Sequence, residues 1–209
     1  MLSSVLGKKI GMTQLFDDSG KVVPVTVIDV TNWFVTQIKT VQKDGYVALQ
    51  LGLLKKKYEK TSFEKSWIKN KGEYFSNLRE VAIQQETLKR VKVGDAVKLE
   101  NIGLEPKSLV KVTSHTRGLG FQGVVKRWGF KGGRASHGSN FHRIPGSIGN
   151  ICAVGKVAKG KKLPGQYGNK RITVKGLTVI NLDSQNGCLF IKGTIPGKKN
   201  SLVVISKQG

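Results

Sequence analysis

The chain has 209 residues, with 36 Lys and Arg against 13 Asp and Glu, for a net charge of +23. No apolar run approaches the ~18 residues of a membrane-crossing helix, and Met1–Ile10 lacks the apolar core of a signal peptide. Two cysteines, Cys152 and Cys188, form no disulfide framework and no metal pattern, so a reduced, cytosolic protein is expected.

Taken in order, Leu2–Ile10 reads as a short strand ending in Gly-Lys-Lys, and Asp17-Asp18-Ser19-Gly20 as a turn. Val22–Val30 is β-branched and predicts a strand, with Pro24 placing it at an edge or a strand start. Trp33–Val41 and Tyr46–Leu51 predict two more strands around an Asp44-Gly45 turn, in an antiparallel meander or barrel. Thr61-Ser62-Phe63-Glu64 resembles a capping box opening a short helix to about Asn70, a small helical insertion near 61–71. Phe75–Gln84 and Val97–Leu99 are weaker strands, and Val93-Gly94-Asp95 is a turn of the kind that enters a barrel strand. Leu109–Ser114 is a strand. The apolar pattern resumes at Ile172–Leu182, turns at Asp183–Gly187 on the hairpin signal Asn186-Gly187, returns along Cys188–Lys192, and closes with Leu202–Ser206.

Between those strand-rich parts lies an unusual stretch. Pro106–Leu182 runs 77 residues without one Asp or Glu, yet holds 15 Lys and Arg and all three histidines, His115, His137 and His142. Gly118–Gly168 carries 13 glycines in 51 residues. A globular surface normally mixes charge signs, because like charges repel. A one-signed run of this length needs a polyanion beside it. A membrane-surface helix would separate its cations from bulky apolar residues, which glycine-broken segments cannot do. Nucleic acid is therefore the favoured partner. With so few apolar side chains the stretch should be an extension ordered by that partner. The simplest topology is one β-barrel body with the extension inserted between two strands, whose facing ends must then lie close together.

Three chemical motifs are weaker than they look. Gly118-Leu119-Gly120-Phe121-Gln122-Gly123 fits GxGxxG, but the next acid is Asp183, too far for a ribose, and His142-Arg143 is followed by Ile144 instead of a catalytic Asp. Gly149–Lys156 has five residues between its glycines, and Val157 where a phosphate loop needs Ser or Thr. His137, His142 and Cys152 fall short of a zinc set. Ser136-His137 and Ser139 near His142 lack a neighbouring acid to orient an imidazole. No catalytic residue, metal or cofactor is assigned. The positive pattern is rings alternating with cations: Phe121, Lys126, Arg127, Trp128, Phe130, Lys131, Arg134, Phe141 and Arg143. Rings and guanidinium planes stack on unpaired bases, while cations neutralise phosphate. Val124–Trp128 suits a turn or two of helix, and Trp128 and Phe130 fit a small local core equally well. Lys159-Gly160-Lys161-Lys162 is a phosphate-contact run, and the histidines suit stacking or hydrogen bonds to phosphate and 2′-hydroxyl groups. A general nucleic-acid-packing protein satisfies the same charge argument, and a nucleotide-dependent enzyme stands only on the GxGxxG match.

The motifs Thr116–Gly133 (TRGLGFQGVVKRWGFKGG), Ala135–Ser139, His142–Gly149, Gly155–Asn169 and Ile191–Gly197, with Leu6–Phe16 at the start, resemble the signature of the universal family of ribosomal protein L three of the large subunit, in its bacterial type. The resemblance spans essentially the whole chain, without a transit-like leader. It implies a mainly β fold: a closed, translation-factor-like β-barrel body over 1–113 and 172–209, and an rRNA-penetrating arm over 114–171. It implies large-subunit rRNA and neighbouring large-subunit ribosomal proteins as partners, a role in nucleating early subunit assembly, and an arm directed at the peptidyl transferase centre of a cytoplasmic ribosome, with an organelle ribosome as the alternative. It implies no membrane and no small-molecule substrate. The rRNA-binding residues expected on the arm are Arg117, Lys126, Arg127, Trp128, Lys131, Arg134, His137, His142, Arg143, Lys156, Lys159, Lys161, Lys162 and Lys170. Arg171 at its base and Lys8 and Lys9 of the first strand are expected to join them. Some relatives carry a methylated glutamine after the Pro-Gly-Ser-Ile-Gly motif, where this chain has Asn150.

Overall fold

A computed structural model describes residues 4–59, 61, 63–83, 91–97, 99–149 and 155–208, the side chains of 101 and 102 excepted. Asn150 and Cys152 lie outside the described residues. The protein is mainly β and divides into two compact units, one of Met1–His115 with Arg171–Gly209 and one of Thr116–Lys170.

In the first unit, strands β1 (Ser4–Phe16), β2 (Val22–Asp29), β6 (Leu109–His115), β9 (Arg171–Asp183), β10 (Cys188–Lys192) and β11 (Leu202–Lys207) pair in a ring, in the order β1-β11-β6-β9-β10-β2 and back to β1. Every pairing is antiparallel. The inward positions are β-branched or leucine: Val5, Ile28, Val110, Val112, Val179, Leu189, Ile191, Val203 and Ile205 are fully buried. Their alternation with exposed neighbours is the period-two signal of a strand with one buried face. Strand β1 is longer than its sequence suggests. A register shift between Lys9 and Gly11 absorbs the Gly-Lys-Lys break and lets pairing with β2 continue to Phe16. Pro24 lies just past the β10 ladder, which covers Val25–Asp29, and its carbonyl accepts the Gly193 N–H there, so its missing N–H falls at the end of that pairing.

The meander does not join the ring. Strands β3 (Trp33–Lys39), β4 (Ala48–Leu54) and β5 (Phe75–Ala82) form their own three-stranded sheet. Strand β4 is buried at six of its seven positions, so it needs cover on both faces. Leu49, Leu51 and Leu53 face the main core with Trp33 and Val35, while Leu54 joins a second cluster with Trp67 and Phe75. The helix expected from Thr61 is corrected there. Thr61 Oγ1 donates to the Tyr58 carbonyl instead of capping a helix, and Ser62 lies outside the described residues. The chain makes a 3-10 turn at Lys65–Ile68 and one α turn, α2 (Lys71–Tyr74), after the earlier turn α1 (Val41–Asp44). Rings decide this geometry: Phe63 stacks on Phe34 at 4.6 Å and Trp67 on Tyr74 at 5.0 Å. Val97 and Leu99 likewise lie on no strand, and residue 98 lies outside the described residues. Ala96 bridges Phe34, Val97 donates its N–H to the Trp33 carbonyl, and a 3-10 turn begins at Leu99. The Val93-Gly94 turn therefore leads to a single bridge, not to a strand of the ring. Among the described residues no helix is long and apolar enough to cross a membrane.

Strands β6 and β9 frame the second unit. Their ladder runs from Leu109↔Thr178 to His115↔Arg171, so the chain departs and returns at facing residues. The next pair closes the base of Thr116–Lys170 itself: the Thr116 N–H donates to the Lys170 carbonyl, and the Lys170 N–H to Thr116 Oγ1.

Candidate nucleic-acid interface

Thr116–Lys170 has eleven Lys and Arg and no acid. Among its described residues a single side chain, Val124, is buried. A unit without a core is held by backbone bonds. Strand β7 (Gly120–Gln122) pairs with β8 (Gly165–Tyr167) in the register Gly120↔Tyr167, Phe121↔Gln166 and Gln122↔Gly165, and Leu119 donates its N–H to the Tyr167 carbonyl. One turn of helix follows, α3 (Val124–Trp128), ended by Gly129 at φ 75°. This residue occupies the left-handed position that glycine takes without strain, and its N–H satisfies the carbonyls of Val124 and Val125.

Of the GxGxxG glycines, Gly118 precedes β7, Gly120 lies on it and Gly123 stands at the entry to α3. A three-residue strand leading into a five-residue helix lacks the strand-turn-helix frame that a dinucleotide site requires.

From α3 the cationic side chains take up distinct places. Trp128 Nε1 donates to the Leu163 carbonyl at 2.9 Å, and Arg127 Nη1 donates to the same oxygen. The Arg127 guanidinium lies 5.0 Å and the Lys162 ammonium 5.8 Å from the Trp128 ring centre. The outgoing and returning legs are thus tied at one carbonyl, with two cations against one indole. Farther out, the Gly133 N–H donates to the Phe141 and His142 carbonyls at 3.0 and 3.2 Å, closing a loop that carries Arg134 and His137. His142 Nδ1 lies 3.0 Å from the Arg134 carbonyl across that loop and hydrogen-bonds to it. The backbones approach so closely that a Cβ on Gly133 would sit 2.7 Å from the Phe141 oxygen.

Arg117, Lys126, Lys131, Arg134, Arg143, Lys156, Lys159, Lys161, Lys162 and Lys170 are all exposed. The described ion pairs, Lys39 of β3 with Asp44 of α1 and with Glu80 of β5, both lie in the first unit. Lys8, Lys9 and Arg171 belong to the first unit. Lys8 is half-buried on β1 opposite Asp29 and Leu202, and Arg171 is exposed at the start of β9. Lys9 has a task within its own unit: its ammonium donates to the carbonyls of Ile195 at 2.8 Å and Gly197 at 3.2 Å, and burial pushes its pKa below the ordinary lysine value. The structure thus joins Arg127, Trp128 and Lys162 in one cluster and Arg134 with His142 in another. It adds two participants that sequence reading passed over. The Leu163 carbonyl carries no side-chain signal. The Gly132-Gly133 pair does, in hindsight, because adjacent glycines inside a basic run mark a close backbone approach.

Comparison with known proteins agrees in extent with these motifs. The family profile described as ribosomal protein L3 matches residues 86–188, which contain the whole second unit. A large ribosomal subunit protein uL3 from Geobacter metallireducens is 44% identical over 207 residues, covering 98% of this chain and 97% of its own. The chain belongs to the ribosomal protein L3 family, in its bacterial type. Two further members carrying the same name, from Syntrophotalea carbinolica and Dehalococcoides mccartyi, are 45% and 42% identical, and each covers 100% of this chain. For this member of the L3 family the similarity is not confined to the glycine-rich stretch. It includes the ring strands and the three-stranded sheet that lie outside the profile match.

Proposed function

We propose that this chain is a structural constituent of the large ribosomal subunit, and that it binds large-subunit rRNA directly through residues 114–171. The observation that carries the reading is the pairing of eleven cations and no acid in Thr116–Lys170 with a single buried side chain among its described residues. A surface of one sign without a core is suited to a polyanion that neutralises it, and each neutralised phosphate releases counterions that favour binding. The ring of six strands, read as a closed barrel of the translation-factor kind, makes up the body of residues 1–113 and 172–209 together with the three-stranded sheet. Family resemblance extends the partners to neighbouring large-subunit ribosomal proteins. The printed name of the relatives, large ribosomal subunit protein, supports the same placement. Family resemblance extends the proposal to a part in early subunit assembly, an arm directed at the peptidyl transferase centre, and a cytoplasmic ribosome as its location.

The test is cosedimentation of the purified protein with large subunits, followed by moderate-salt washing, alongside a variant lacking residues 118–168. Retention of the full chain and loss of the variant, with the body still folded, support the proposal. Tight rRNA binding by the shortened chain overturns it. A general nucleic-acid-packing role is separated by competition: duplex DNA that displaces structured rRNA at equal phosphate concentration favours that reading instead.

A further inference from the structure

Residues 130–146 form an open cleft of about 480 Å³ lined by Phe130, Lys131, Gly132, Gly133, Phe141 and residues 144–146. Its position follows from the backbone. The closure of Gly133 on Phe141 and His142 brings the two ends of the loop together and sets Phe130 and Phe141 on the same hollow. Among the described residues no ring contact joins Phe130 to Phe141. The two rings therefore line one space without filling it. Phe141 is 59% and Ile144 47% exposed, a large apolar outlay for a segment whose other residues are mostly cations, glycines and small or polar side chains.

We propose that this cleft is a receptor for one unstacked nucleobase of the bound RNA, seated against Phe141 and Phe130 while Lys131, Arg134 and Arg143 meet the flanking phosphates. The inference rests on the RNA-binding reading and adds a base-specific element to it. Charge selects the occupant. An apolar peptide side chain would fit the hollow, but its backbone would meet three cations and no carboxylate. A nucleotide supplies a flat apolar face and an anion in the same unit. The glycine floor matters as well. With no side chains at Gly132 and Gly133, the backbone lines the hollow directly and leaves room for a flat ring, while the Gly133 N–H stays engaged with the Phe141 and His142 carbonyls. Phosphate-only binding would need none of these rings.

The test uses the full chain and two probes of equal length: a single-stranded RNA containing 2-aminopurine, whose fluorescence is quenched by stacking, and an RNA duplex. Wild-type protein should quench the single strand. Phe141→Ala should lose the quenching and bind the single strand roughly 5- to 100-fold more weakly, the range expected for one base-aromatic stack. Phe141→Tyr, which keeps the ring, should behave as wild type, and duplex affinity should be the same for all three. Because Phe141 is exposed, the alanine variant should melt with wild type. If Phe141→Ala binds and quenches the single strand as wild type does, the cleft assignment is overturned while the RNA-binding reading stands. If wild type binds neither probe, the RNA-binding reading itself fails.

Discussion

Removing single cations from Thr116–Lys170 should change the salt dependence of rRNA binding in proportion, and removing Lys9 should not. The segment has eleven Lys and Arg. Arg127 is bonded to the Leu163 carbonyl, which leaves ten whose charged groups make no hydrogen bond or ion pair to a described protein group. Counterion release gives a slope of log affinity against log salt of about −0.9 per phosphate on a duplex and about −0.7 on a single strand. Ten contacts therefore set a limiting slope of about −7 to −9, a loss on the order of 10⁴ to 10⁵ in affinity between 50 and 200 mM salt. Lys159→Ala and Lys161→Ala should each make the slope shallower by about 0.7 to 0.9. Lys9→Met removes donors to two carbonyls within the first unit, so it should leave the slope unchanged and destabilise the fold by about 1.5–3 kcal/mol. The assay is filter binding to large-subunit rRNA over a series of KCl concentrations, with urea unfolding of each variant. A wild-type slope near −2, or a Lys9→Met slope that falls while Lys161→Ala leaves it alone, would refute the placement of the interface.

Further outcomes follow from individual bonds. Thr26 is fully buried and its Oγ1 donates to the Gly193 carbonyl at 2.6 Å, so Thr26→Val should cost about 1–2 kcal/mol in urea unfolding. Gly132 has φ 81°, and a Cβ there would meet the His142 carbonyl, so Gly132→Ala should open the loop. It should weaken rRNA binding at least tenfold in the filter assay without lowering the melting temperature of the body. The Tyr46 hydroxyl, and after it Lys39, hold the Glu80 carboxyl below its ordinary value of 4.5. A depressed carboxylate stabilises the fold above that value and stops doing so as pH falls through the depressed one. Glu80→Gln should therefore lower stability modestly on the neutral side and flatten the acid limb, so that the two stability-pH profiles converge as pH falls below the depressed value.

Where burial dictated composition, the strands could be read. Strands β2, β6, β9, β10 and β11 carry Val, Ile and Leu at alternate positions because one face meets the core, and each lies within a residue or two of its expected bounds. What failed was inference about partners. The residues of β3 and β4 predict strands but do not say that these two will pair with β5 in place of the ring. That choice depends on Leu54 and Phe75 meeting an aromatic cluster assembled from positions 34 to 75. The helix expected near 61–71 failed for a related reason. Phe63, Trp67 and Tyr74 have spacing that suits a helical face, yet stacking among the rings satisfies them better. In the second unit, β7 and β8 are three residues each and about 45 apart, too short to leave a periodic signal.

Charge and backbone divide the work in that unit, and the division explains why its chemistry was readable when its shape was not. Excluding acids from Thr116–Lys170 is visible in any reading of the sequence, because it concerns composition alone. The contacts that shape the unit are carbonyls and amides: Leu163 receiving Arg127 and Trp128, Gly133 donating to Phe141 and His142, Thr116 bonded to Lys170. Every residue except proline has both groups, so sequence does not announce which will be used. Such bonds fix where the cations stand without covering them, since no side chain but Val124 among the described residues is withdrawn from the surface. A core would have had to recruit apolar residues at the expense of that exposed charge. Holding the segment by its backbone leaves the cations and the rings of Phe121 and Phe141 facing outward, where a phosphodiester chain can reach both.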